Sequence, residues 1–141
     1  MTNITGGCLC GRVRYTITAE PIGAALCHCR DCQRYTGSGF EPFVRVPTSA
    51  LQLHGELKSY TATGGSGHVT RRRFCPNCGS GVINEAQVRP GVTVVLAGTF
   101  DDPTAFVPTF EQFCADSPPW VQAGTERARF PKGRPTDSSA R

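Results

Sequence analysis

Gly7-Cys8-Leu9-Cys10-Gly11-Arg12-Val13-Arg14-Tyr15-Thr16-Ile17-Thr18 runs a pair of cysteines directly into an alternating segment. Arg12, Arg14 and Thr16 oppose Val13, Tyr15 and Ile17 with period 2, which predicts a half-buried strand over residues 12–18. If the cysteines ahead of it are also extended, both sulfurs project to one side and can reach one ion, and Leu9 faces the other way, into the core. Working outward, residues 40–46, 56–63 and 92–99 also predict strands: each is rich in β-branched and aromatic residues and bounded by Gly, Pro or Asp. Residues 30–35 alone predict a short helical turn. Gly64-Gly65-Ser66-Gly67 predicts a hairpin connection, because no Gly-Lys-Ser/Thr follows to make it a phosphate loop. The 141-residue chain, with 16 Gly and 11 Pro, thus reads as one all-β domain of short antiparallel strands over residues 1–130. A disordered tail is expected over 131–141.

Seven of the eight cysteines fall into three clusters: Cys8-x-Cys10, Cys27-x-Cys29-x-x-Cys32 and Cys75-Pro76-Asn77-Cys78. No apolar stretch is long enough to span a membrane, and no basic-then-apolar export signal opens the chain. A cytoplasmic location is expected, where thiols stay reduced and clustered cysteines serve as metal ligands in preference to disulfides. The formal charge is +4. Seven thiolates balanced by two zinc ions would reduce it to about +1, which argues against nucleic acid as a partner. Arg71-Arg72-Arg73 then reads as a solvated face or as neutralisation of a negative site.

Cys75-Pro76-Asn77-Cys78-Gly79 has the form of a metal-binding turn, and with Cys8 and Cys10 it makes four thiolates. Four soft sulfurs favour zinc, leave no coordination position open, and would fasten the N-terminal region to a strand end some 65 residues later. Iron is the other tetrahedral-sulfur option. A redox Cys-x-x-Cys would need a βαβ context that the strand pattern does not supply. Cys27, Cys29 and Cys32 offer only three thiolates. Three ligands plus a vacant position is the arrangement of catalytic zinc, whereas completion by Cys114 or a histidine would make a second structural site. His28, between two of the ligands, should point away from the ion toward an outer or surface position. His54 and His68 lack ligand spacing, and Cys114 reads as a small hydrophobe.

Gly7 to Tyr15, Cys27-His28-Cys29-Arg30-Asp31-Cys32-Gln33-Arg34 with Ser38-Gly39, and Phe74-Cys75-Pro76-Asn77-Cys78-Gly79-Ser80 together resemble the glutathione-dependent formaldehyde-activating enzyme family, which includes centromere protein V. Gly98-Thr99-Phe100-Asp101-Asp102-Pro103 and Pro119-Trp120 resemble its later motifs. The resemblance implies an all-β "β-tent" fold, structural zinc on Cys8, Cys10, Cys75 and Cys78, and catalytic zinc on Cys27, Cys29 and Cys32. It implies a carbon–sulfur lyase that adds glutathione or a similar thiol to formaldehyde or a similar aldehyde. Arg30, Arg34 and Arg71 to Arg73 are then candidates to hold carboxylates. In Pro108-Thr109-Phe110-Glu111 this chain departs from the family, with Glu111 where a histidine is usual. An ionised carboxylate at that place is expected to repel an anionic substrate. The rival readings are a non-catalytic zinc-stabilised binding module and a thiol-based metal or redox sensor.

Overall fold

Tyr15 and Ile17 are buried and Arg14 is exposed, so the period-2 pattern that opens the chain does place a strand with one face inward. The computed structural model describes residues 3–64, 67–122 and 126–134. Among them the elements are β1 (Ile4–Gly7), β2 (Arg14–Ile17), β3 (Gly23–Cys27), α1 (Arg30–Thr36), β4 (Glu41–Pro47), β5 (Leu51–His54), β6 (Lys58–Thr63), β7 (Val69–Phe74), β8 (Gly81–Ala86), β9 (Val92–Leu96), β10 (Phe110–Gln112) and β11 (Ala128–Arg129). The architecture is all-β, with α1 as the one α-helix among the described residues. The strands make two sheets, β1-β2-β5 and β11-β10-β3-β4-β9-β8-β7-β6. Most neighbours are antiparallel as expected. At one end of the larger sheet, β10 instead runs parallel to both β3 and β11.

Leu9 does not face the core: it is 88% exposed. Residues 8–13 form a tight turn in place of extended chain, with Gly11 N–H on the Cys8 carbonyl at 3.1 Å and Cys8 N–H on that of Val13 at 3.0 Å. Gly11 takes a φ of 83°, open to glycine at little cost, and the tip residue Leu9 is thrown outward. Residues 12–13 therefore belong to the turn, and the strand begins at Arg14.

Two apolar clusters form beneath the sheets. The larger joins Val13, Tyr15, Ile17, Val44, Val46, Val82, Ile83, Val95 and Phe100, and takes in Cys8 and Cys75. Each fully buried Val or Ile contributes about 1.5–3 kcal/mol relative to exposure. The smaller holds Ala25, Phe43 and Phe110 together with Cys27 and Cys32. Each cluster thus contains part of one cysteine group.

A turn at Asp101-Asp102-Pro103 fastens the two sheet regions. Asp102 caps a short 3-10 turn at Pro103–Ala105 through Thr104 N–H at 2.9 Å, and Asp101 takes a forked ion pair from Arg14 plus the Thr5 hydroxyl at 2.7 Å. Hydrogen bonds from Arg14 and Thr5 hold the Asp101 carboxyl down at about 2. A depressed carboxyl contributes stability at pH values above its unfolded range, and that contribution is lost as pH falls from about 3.8 toward about 2. Carbon-detected NMR titration should therefore find Asp101 ionised well below the ordinary range, and Arg14→Gln should return it there.

Candidate functional site

Cys75-Pro76-Asn77-Cys78-Gly79 closes on itself through Gly79 N–H to the Cys75 carbonyl at 2.9 Å, with Gly79 at φ 79°. The Cys8–Cys10 turn faces it, joined by Leu9 N–H to Ser80 Oγ at 3.1 Å. The four sulfur ligands lie within 4.8 Å of one another. Cys8 and Cys10 are 3.6 Å apart at sulfur, and Cys10 and Cys75 3.8 Å. Tetrahedral zinc–sulfur bonds of about 2.3 Å require sulfur–sulfur edges of about 3.8 Å, so the group fits such an ion. Polar contacts favour the thiolate at Cys8 and Cys78: Val13 N–H points at Cys8 Sγ at 3.2 Å, and hydrogen bonds from Ser80 lower the Cys78 thiol to about 5.

Cys27 ends β3, Cys29 caps α1, and Cys32 sits in its first turn. Strand end and helix start thereby aim three sulfurs into one space, again within 4.8 Å of one another. Among the described residues no fourth Cys, His, Asp or Glu ligand atom lies as close to all three. Hydrogen bonds from Cys27 and Cys32 lower the Cys29 thiol to about 2, and the bond to Cys29 pushes Cys27 up to about 12. The mutual hydrogen bonds thus favour a thiolate within the trio, as in a cation-binding group.

These sulfurs line a cavity of about 760 Å³ whose walls come from α1, β4, β6, β7, β8, β10 and the segment near Lys132. Beside the trio lies a buried carboxylate that the sequence reading missed, that of Glu41. β4 pairs with β3 so that Glu41 stands opposite Cys27. Asn84 Nδ2 donates to both its oxygens at 3.1 and 3.3 Å, and Arg72 Nη1 pairs with Oε1 at 3.2 Å. Burial raises the Glu41 pKa against the pull of Arg72.

The three-arginine run resolves by strand alternation. Arg71 and Arg73 both pair with Glu85, whereas Arg72 turns into the cavity, 3.9 Å from Cys32 Sγ and with its guanidinium 4.8 Å from the Tyr35 ring centre. Neutralisation of a negative site therefore describes Arg72 and a solvated face describes Arg71. Tyr35 needs Gly81 opposite it, since a Cβ there would come within 2.7 Å of its ring. Arg30 and Arg34 also line the cavity.

His28 faces away from the sulfurs, as expected, but it is fully buried. Its Nε2 meets Glu111 Oε1 at 2.7 Å, and Arg127 bonds the other Glu111 oxygen at 2.9 and 3.1 Å. Glu111 therefore does not repel an anionic substrate. It is not on the cavity wall, and its charge is met by His28, Arg127 and Arg129. Burial would raise its pKa, yet the bonds from His28 and Arg127 outweigh that and hold it below the usual range.

Cys114 is half-buried, with its sulfur within 4.8 Å of ligand atoms of His28 and Glu111 and outside the Cys27 trio. The two arginines on the carboxylate make this third group a poor cation site. Glu111→Ala leaves His28, Arg127 and Arg129 without their shared anion, and is expected to lower unfolding free energy by about 3 kcal/mol in a urea titration.

Of the C-terminal tail, residues 131–134 are described and the rest lies outside the described residues. The Lys132, Phe130 and Pro131 carbonyls accept from Phe113, Cys114 and Ala115. No described helix is long and apolar enough to cross a membrane.

A family described as glutathione-dependent formaldehyde-activating enzyme matches residues 3–116 of the chain. Among solved structures, a crystal structure of a Rhodobacter sphaeroides protein superposes with a TM-score of 0.56 at 22% identity, over 72% of this chain and 93% of that one. The second likeness concerns the fold alone.

Proposed function

The chain belongs to the glutathione-dependent formaldehyde-activating enzyme family, and from that premise we propose that it is a zinc-dependent carbon–sulfur lyase. The reaction joins a thiol of the glutathione type to formaldehyde or a similar small aldehyde, reversibly. The observation that carries this reading is the placement of Cys27, Cys29 and Cys32 on the wall of a large cavity, beside a pinned carboxylate and an inward arginine. Cys8, Cys10, Cys75 and Cys78 are assigned to a structural zinc.

A zinc ion held by Cys27, Cys29 and Cys32 would supply Lewis-acid stabilisation of a substrate thiolate at neutral pH. Arg72, already within 3.9 Å of Cys32, offsets the negative charge that collects there. As the carbon–sulfur bond forms, the carbonyl π pair moves onto oxygen, which takes up the proton given by the thiol. Of the chain's own residues, the Glu41 carboxylate on the cavity wall is the group to pass that proton. A reducing cytosol suits seven ligating thiols.

Exchange NMR between formaldehyde, glutathione and their adduct, on protein holding two zinc ions per chain, tests the reading. Acceleration over the spontaneous rate supports it. With both sites loaded, an unaccelerated rate with every thiol and aldehyde tried would leave a non-catalytic zinc module.

A further inference from the structure

Family similarity ends at residue 116, yet the chain beyond it helps to build the cavity. Phe113 N–H bonds the Lys132 carbonyl at 3.0 Å, Cys114 N–H that of Phe130 at 2.9 Å, and Phe130 N–H that of Glu111 at 2.9 Å. Arg127 grips the Glu111 carboxylate, and the Phe130 ring packs edge-on against Phe110 at 6.2 Å. Residues 126–134 are thus strapped along β10, and they carry Lys132 to the cavity wall. Among the described residues the Lys132 ammonium has neither a hydrogen-bond nor an ion-pair partner.

One strand position away lies a second unmatched group. Gln112 stands opposite Cys27 in the parallel pairing of β10 with β3, and it is 7% exposed. Its Oε1 is buried and accepts no hydrogen bond. An acceptor left unmatched at such depth costs about 1–3 kcal/mol, which a ligand N–H would recover. Asp116 lines the same wall and suits the same cationic or N–H end.

We propose that Lys132 and Gln112 are specificity-determining residues that select a cysteinyl thiol, free or in a short peptide. Its carboxylate is held by Lys132 and its N–H by Gln112, while its sulfur is directed to Cys27, Cys29 and Cys32. The inference rests on the thiol–aldehyde reading, and supplies from outside the family-matched segment a residue that reads charge. Arg34, on the same cavity, adds a second cation for a peptide with two carboxylates.

The test is steady-state exchange kinetics with formaldehyde and three thiols: glutathione, 3-mercaptopropionate and 2-mercaptoethanol. Lys132→Met should raise KM about ten-fold for the two carboxylate thiols, leave kcat in place, and leave 2-mercaptoethanol unaffected; Lys132→Arg should restore most of the loss. Gln112→Leu should raise KM for glutathione, which has N–H donors, and spare 3-mercaptopropionate, which has none. If Lys132→Met and wild type treat all three thiols alike, or if all three worsen together, this inference is overturned while the reaction stands. A wild type that accelerates exchange with no thiol overturns the reaction and the inference with it.

Discussion

Cys29→Ser is expected to abolish thiol–aldehyde exchange while leaving the protein folded. Altering a group merely hydrogen-bonded to a metal ligand commonly costs 10- to 100-fold in affinity or activity, so loss of a ligand itself should exceed about 100-fold. Serine also suits the position structurally. Cys29 is the N-cap of α1 and accepts from Cys32 N–H at 3.4 Å, and serine is among the preferred residues for that cap. Thermal melting should therefore change by only a few degrees, while zinc analysis falls from two ions per chain to one. A variant that keeps turnover would remove Cys29 from the reaction. One that unfolds would instead make the trio a second structural site.

Cys78→Ser should do the reverse. Structural zinc in small thiolate sites is worth about 10–16 kcal/mol at neutral pH, comparable with the whole stability of an ordinary domain. The four ligands join two turns that are 65 residues apart in sequence, as measured from Cys10 to Cys75. Replacing one thiolate leaves three sulfurs crowded at the rim of the main cluster with their cation weakly held. We expect the melting temperature to drop by at least about 10 °C, since in chains of this size each kcal/mol moves it by roughly 2–4 °C. Circular dichroism melts with and without added zinc measure this, and a melt indistinguishable from wild type would show that the site is not structural.

Much of this was legible because the informative residues are local. The turn at Cys75 to Gly79, the three cysteines of residues 27–32 and the alternation of Arg14 to Ile17 each lie within a few positions, so spacing alone indicates geometry. Strand β3 was missed because Gly23-Ala24-Ala25 has weak strand preference, and tertiary pairing with β4 and β10 overrides it. Strand β7 was hidden by its three arginines, whose alternation is invisible until Glu85 and Glu41 are in place. Glu41 could have been suspected as a lone carboxylate at the head of the apolar run Phe40 to Val46. Its partners, however, are 31 and 43 residues away, and no local pattern supplies them. Leu9 was misassigned because extended geometry was assumed through a turn that Gly11 makes possible.

Cys8 and Cys75 share the larger apolar cluster with Tyr15 and Val82, whereas Cys27 and Cys32 sit in a separate, smaller cluster with Phe43 and Phe110. That division bears on how such a chain evolves. Substitutions that reshape the trio proposed to react draw on the minor cluster, while Cys8 and Cys75 of the proposed structural zinc site are anchored in the major one. On the proposed assignment stability and chemistry can therefore vary independently, and a lineage built on this scaffold can exchange or abandon a reaction at the trio without first having to rebuild its core.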